Sequence, residues 1–300
     1  MKSLNENIFH QYNKWKTGYV RKENDVKIRM QTFIEEHHIK NYSIITDNKK
    51  GIKYLNVYDP LNTIRIHDED LVNGKLPFKF GEISDGLIFD DCETLISLEG
   101  APKKIDKFLT IQDCPNLTSL KGAPQEGVSM ILLLKCNKLI SLEGLPKIID
   151  GRFSIRECSS LKTLKGAPKF DMDDLLFSIP NRGEFVCSAC NSLTSLEGAP
   201  DEVMAFDCCG CVNLTSLKGG PSTVYGEYNC WGCVNLTSLD GLPKEVYTLY
   251  LDNCSQLTSL EGIGVIKKKL SVRNCGKQFN HNEINYALKD SYDYNVEVLK

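Results

Sequence analysis

Three Cys-x-x-Cys pairs, Cys187/Cys190, Cys208/Cys211 and Cys230/Cys233, have the spacing best suited to chemistry in this chain. Such pairs hold zinc or cycle between thiol and disulfide. They belong to thirteen cysteines in 300 residues, and the N-terminus lacks the apolar stretch of a secretory signal. An odd count without an export signal argues against a disulfide framework and for a cytoplasmic setting. Other catalytic groupings are missing from the sequence. His10, His37, His38, His67 and His281 are scattered, with no His-Glu-x-x-His, no phosphate-binding glycine loop and no Gly-x-Ser-x-Gly elbow. No catalytic residue, metal or cofactor is therefore assigned. A formal net charge of -3 supplies no bulk attraction to nucleic acid or anionic membrane. No run approaches about 18 consecutive apolar residues, so a membrane partner is not expected.

The elements that position the cysteines emerge as a repeat. The unit Cys-x-x-Leu-x-x-Leu-x-Gly-x-Pro starts at Cys92 and recurs from Cys114, Cys136, Cys158, Cys190, Cys211, Cys233 and Cys254, with Cys275 opening an incomplete ninth copy. Successive cysteines are 22, 22, 22, 32, 21, 22, 21 and 21 residues apart, which leaves one ten-residue insertion in an otherwise fixed period. Apolar residues stand five and three positions before the cysteine, as in Leu109/Ile111, Ile131/Leu133, Phe153/Ile155 and Leu249/Leu251. This alternation predicts a short strand with one buried face.

The unit apolar-x-apolar-x-x-Cys-x-x-Leu resembles the leucine-rich repeat over residues 86 to 275, with one extra residue between the cysteine and the next leucine. Among its variants it looks closest to short bacterial and bacteriophage repeats of the NLTSLEGAP type. The resemblance implies a β-rich solenoid with a parallel sheet on its concave face, in a class many of whose members have no assigned function, while the missing catalytic groupings point to a non-enzymatic protein-binding role. A phage accessory protein acting on a host or defence factor would be one such case.

Each letter of the motif has a packing role. The nine cysteines form a structural ladder turned inward where the chain leaves the strand, a crowded place that suits a small, soft side chain. Gly100, Gly122, Gly144, Gly166, Gly198, Gly219, Gly241 and Gly262 mark a corner needing positive φ or close backbone approach. The proline two residues later, replaced by Gly264 in the copy from Cys254, keeps the convex side extended or turn-like rather than helical. Cys187, Cys208 and Cys230 fall in the slot filled elsewhere by Ile111, Leu133, Ile155 and Leu251, so packing is their expected role. Zinc binding and thiol redox chemistry remain as alternatives. Cys209 falls at an outward position and is the expected exposed, reactive thiol.

Residues 1–75 lack the repeat and read as an α/β N-terminal cap. A first helix would open at Ser3-x-x-Glu6, and a second at about Asp25 would bury Val26, Met30, Phe33, Ile34 and His37. Short strands are expected near Tyr42–Thr46, Ile52–Val57 and Thr63–Ile66. The solenoid spans 76–275, Leu76 and Pro77 resembling a degenerate first coil, and residues 276–300 form a C-terminal cap. There Asn280-x-x-Glu283 is a capping box, with Phe279 and Ile284 placed as a hydrophobic staple.

The outward strand positions carry the functional expectation. Met130-Ile131-Leu132-Leu133-Leu134 is apolar on both faces, whereas a solvated strand should alternate. Phe108, Met130, Leu132 and Leu134, flanked by Arg152 and Arg156, form an expected protein-binding patch, with Trp231 and Tyr250 as a second anchor. The insertion over 169–184, with Asp171, Asp173, Asp174 and Phe177, is a second candidate contact. Coverage of the patch by the cap, or a homodimer through it, is the competing explanation. Nucleic-acid binding through Arg152, Arg156 and Arg273 is disfavoured by Glu184, Asp207 and Asp252 nearby.

Overall fold

The computed structural model describes residues 24–61, 63–172, 182–291 and 294–300. The repeat folds as a β-solenoid. Its main sheet stacks eleven parallel strands in chain order: Ile64–Ile66, Leu87–Asp90, Phe108–Gln112, Met130–Leu134, Arg152–Arg156, Glu184–Val186, Ala205–Asp207, Glu227–Asn229, Glu245–Tyr250, Val265–Ser271 and Glu297–Leu299. The register is that of the repeat, Phe108 lying beside Met130 and Met130 beside Arg152. The alternating apolar residues fill the interior, where Leu109, Ile131, Phe153, Phe185, Phe206, Tyr228, Leu249 and Leu270 form one fully buried column.

Two backbone features turn each strand into the next arc. The residue before every ladder cysteine, from Asp91 to Asn274, is left-handed, with φ between 49° and 69°. At Asp113, Lys135 and Asn253, for example, its N–H donates to a carbonyl of the following coil, so the ladder continues through the bend. The second feature is the expected corner. The eight repeat glycines have φ between 81° and 108°, and a Cβ at Gly122 would sit 2.4 Å from the Leu98 carbonyl oxygen of the coil before it. Both reasons for glycine, positive φ and close approach, apply at once.

The ladder thiols also work as donors. Cys92 Sγ donates to the Ile66 carbonyl at 3.3 Å, Cys211 to Cys187 at 3.0 Å, Cys233 to Cys208 at 3.2 Å and Cys254 to Cys230 at 3.3 Å. Each bonds a backbone carbonyl of the preceding coil, so the cysteine both fills the corner and ties neighbouring coils together.

The back of the coils is extended, as the prolines require. Short strands follow the corner at Lys104–Ile105, Ile148–Ile149, Lys169–Phe170, Glu202–Val203 and Thr223–Val224. Just before the corner glycine runs an alternating row, Glu99, Lys121, Glu143, Lys165, Glu197, Lys218, Asp240. It yields ion pairs Lys121–Glu99 at 3.1 Å, Lys165–Glu143 at 3.0 Å and Lys218–Asp240 at 3.4 Å. Lys75 and Lys121 together hold the Glu99 carboxyl down at about 2. Exposed pairs of this kind add little stability, but a one-coil slip would set like charges side by side.

The solenoid is joined to its caps more deeply than the 76–275 boundaries suggest, since the main sheet begins at Ile64 and ends at Leu299. Helix α1 (Asn24–Glu36) buries Met30, Phe33 and Ile34, with Phe33 edge-on to Phe78 and Phe80 at 5.4 and 5.5 Å. Strands β1 (Tyr42–Asp47) and β2 (Ile52–Val57) make an antiparallel hairpin. β2 then pairs in parallel with Lys79–Ile83, which pairs with Lys104–Ile105, so the cap sheet runs on into the back of the first coils. The expected helix opening at Ser3 lies outside the described residues. At the other end helix α2 (His281–Ala287) has the predicted capping box: Asn280 Oδ1 accepts from the Glu283 N–H at 3.0 Å, and Glu283 Oε2 from the Asn280 N–H at 2.9 Å. Phe279 and Ile284 are both buried.

Candidate interaction surface and the buried thiols

The outward columns of the main sheet stand six, four and two residues before each ladder cysteine. Register brings Phe108, Met130 and Arg152 into the first, Thr110, Leu132 and Ser154 into the second, and Gln112, Leu134 and Arg156 into the third. The expected patch is therefore assembled. Met130 is 37% exposed, and Phe108, Leu132 and Leu134 are half-buried. Phe108 lies where a side chain at Gly86 would have to go, a Cβ there meeting its ring at 2.4 Å. A glycine in the preceding coil thus gives the ring a flat seat.

Paired polar groups fence the patch. On one side Arg65 pairs with Asp90 at 2.8 Å, and Gln112 Nε2 donates to the same carboxylate at 2.5 Å. On the other Arg152 pairs with Glu184 at 3.0 Å, and Arg156 Nε donates to Ser154 Oγ at 3.1 Å. Burial pushes the Glu184 carboxyl up, opposed by Arg152. Of the two flanking arginines, Arg156 is exposed, whereas Arg152 is partly engaged and its Nε is buried without a partner.

Trp231 stands four rungs from Leu134, about 19 Å at the spacing of neighbouring strands. It is 50% exposed and its backbone N–H donates to Asn229 Oδ1 at 3.0 Å. Tyr250 is half-buried beneath Lys269, whose Nζ lies 5.8 Å from the ring centroid. Patch and second anchor are thus separate. At the insertion Asp171 is exposed, while Asp173, Asp174 and Phe177 lie outside the described residues.

The residue pattern gave no warning of one polar clasp. Asp252 is buried and its Oδ1 accepts from Ser271 Oγ at 2.7 Å and from the Arg273 backbone N–H and Nε, both at 2.9 Å. Burial pushes its carboxyl up, but these donors outweigh it and leave it below the usual carboxylate range. Arg273 is thereby committed to the neighbouring coil.

Cys187, Cys208 and Cys230 are fully buried, in register with Ile155 and Leu251. Their companions two positions earlier are the rings of Phe185, Phe206 and Tyr228, where the coils of Ile111, Leu133 and Leu251 have Leu109, Ile131 and Leu249 and the coil of Ile155 has the ring of Phe153. Phe153, Phe185, Phe206 and Tyr228 stack in a continuous column, with centroids 4.8, 5.5 and 5.1 Å apart. A large ring beside a small thiol fills the cross-section that two aliphatic residues fill in the coils of Leu109, Ile131 and Leu249.

Electrostatics favour neutral thiols there. Burial pushes Cys230 up to about 12, and Cys187 and Cys208 are raised well above the ordinary value, chiefly through hydrogen bonds with Cys211 and Cys230 respectively. Cys208 and Cys230 lie with sulfurs 3.7 Å apart. Among the described residues no three His, Cys, Asp or Glu side chains converge as metal ligands. Cys209 departs from expectation. It lies in the turn after Ala205–Asp207 rather than on the strand, it is half-buried, and burial pushes its thiol up to about 11. Being mostly protonated at neutral pH, it is a weak nucleophile.

Among the described residues no helix is long and apolar enough to cross a membrane. Comparison with known proteins returns no matching family model, no similar curated protein and no similar solved structure.

Proposed function

We propose that this protein is a non-enzymatic binding module that holds a partner protein against the outward face of its main sheet. The observation that carries this reading is the patch of Phe108, Met130, Leu132 and Leu134. Four large apolar side chains stand together on a face whose other coils are mainly polar, and the Arg65–Asp90 and Arg152–Glu184 ion pairs border them. An apolar centre within a polar rim is the anatomy of a protein interface. Trp231 is a second anchor about 19 Å along the same face, a spacing that suits an elongated partner crossing several coils. The insertion at 169–184 is the other contact we propose. In keeping with the resemblance to short bacterial and phage repeats, the setting we propose is the cytoplasm of a bacterial host, with a host or defence protein as the partner.

Affinity purification from that host with wild type and Leu132→Asp, both checked for the folded circular-dichroism spectrum, tests the assignment. The partner should be recovered with wild type and lost with Leu132→Asp, and Trp231→Ala should reduce its recovery. Equal recovery with all three proteins would overturn it.

A further inference from the structure

The free edges of the two sheets are unequal. The main sheet ends on Ile64–Ile66 and Glu297–Leu299, three residues each, whereas the cap sheet ends on β1, which has six. Proteins guard sheet edges with short strands, lysine, proline or a bulge, because an open edge is a template for another strand. β1 reads Tyr42-Ser43-Ile44-Ile45-Thr46-Asp47, without lysine or proline, and its ladder with β2 has six consecutive pairs and no bulge. Tyr42 is 39% and Ile45 48% exposed.

Backbone hydrogen bonds fix which groups face outward. The Tyr58 N–H donates to the Asn41 carbonyl at 2.9 Å and the Gly51 N–H to that of Asp47 at 2.7 Å, so the odd-numbered residues turn their backbone groups toward β2. In an antiparallel pair the alternate residues, Tyr42, Ile44 and Thr46, then turn theirs to the open edge. Among the described residues no strand pairs with that edge.

We propose that β1 pairs antiparallel with β1 of a second copy, about a two-fold axis through Ile44, joining the two cap sheets into one. In this register Tyr42 faces Thr46 of the partner subunit, and Ile44 faces its own counterpart. The three outward residues of each strand then complete their hydrogen bonds. A second copy fits for three reasons. An antiparallel edge is complementary to itself. Residues 42–46 carry no charge that would meet its like, and Asp47 falls opposite Asn41. The contact is also isologous, so it closes at a dimer instead of extending into fibres. On the face that Ile45 shares with Tyr54, Ile45 lies opposite Ser43 of the partner subunit and diagonal to the partner's Ile45. One strand pair buries less than the roughly 1,200–2,000 Å² of a stable interface, so the dimer is reversible. The main sheet face stays free for the proposed partner.

Sedimentation velocity from low-micromolar to near-millimolar concentration, combined with amide hydrogen exchange, tests the proposal. Wild type should pass from monomer to dimer, and the Tyr42, Ile44 and Thr46 amides should become protected as it does. Thr46→Pro removes an outward N–H at an edge position that tolerates proline, and Ile45→Lys adds an edge charge. Each should weaken the dimer about tenfold or more with the folded spectrum unchanged. If Thr46→Pro fails to fold, Ile45→Lys decides. Four results would overturn the proposal: a monomer throughout, a dimer indifferent to the variants, a dimer abolished by Leu132→Asp instead, or those amides protected even in the dilute monomer.

Discussion

The coils carrying Leu109/Ile111 and Ile131/Leu133 fill their interior with paired aliphatic side chains, while those carrying Phe185/Cys187, Phe206/Cys208 and Tyr228/Cys230 use a ring and a thiol. Both solutions lead to fully buried columns in the same strand register. A Cys-x-x-Cys spacing, which in isolation suggests metal or redox chemistry, therefore arises here from a ladder cysteine three residues after a volume-compensating one. Tyr228 extends the lesson. Its hydroxyl is buried without a partner, and Gly220 stands where Ala101, Ala123, Ala167 and Ala199 occur in other coils. A Cβ at 220 would lie 2.9 Å from that hydroxyl oxygen, so the glycine makes room for the one extra atom.

The contrast can be broken most severely by removing a ring from the middle of the stack. Phe206→Ala should cost about 3–5 kcal/mol in urea unfolding, since nothing nearby can collapse into the space. Enlarging the thiol is next: Cys208→Leu should cost about 1–3 kcal/mol by overpacking. Adding Phe206→Leu should return part of that loss by recreating the aliphatic pair, and strictly additive losses would refute the compensation. Gly220→Ala should cost about 1–3 kcal/mol as well, mostly recovered in a Tyr228→Phe background. Tyr228→Phe alone should be neutral or stabilising, because it deletes an unpaired buried hydroxyl. The smallest effect is kinetic. Alkylation of Cys209 should be slow at neutral pH and accelerate about tenfold per pH unit until its thiol titrates near 11.

Much of this was legible in the residues because the repeat supplies its own alignment. The ladder cysteines, the glycine corners and the Asn280–Glu283 capping box each follow from one position being chemically constrained. The left-handed residue before each cysteine was only partly signalled: Gly210, Gly232, Asp91, Asp113, Asn253 and Asn274 are types that favour it, while Lys135, Glu157 and Ala189 adopt it under the pull of the surrounding ladder. The patch was visible as a failure of alternation at Met130–Leu134. Its flanking arginines were visible too, but not the pairing of Arg152 with Glu184, which joins residues 32 positions apart across the insertion. Cys209 was misplaced for a related reason: the strand Ala205–Asp207 ends before it, and the turn draws the thiol partly inward.

Brief alkylation of the folded protein at neutral pH, followed by peptide mapping and native mass measurement, tests the assignment of the thiols to the interior most directly. Any label should appear only at Cys209 and Cys275, the two thiols that are not fully buried, and the native mass should equal that of the chain alone. Rapid labelling of Cys187, Cys208 or Cys230 while the fold is intact, or a stoichiometric metal in the native mass, would contradict it.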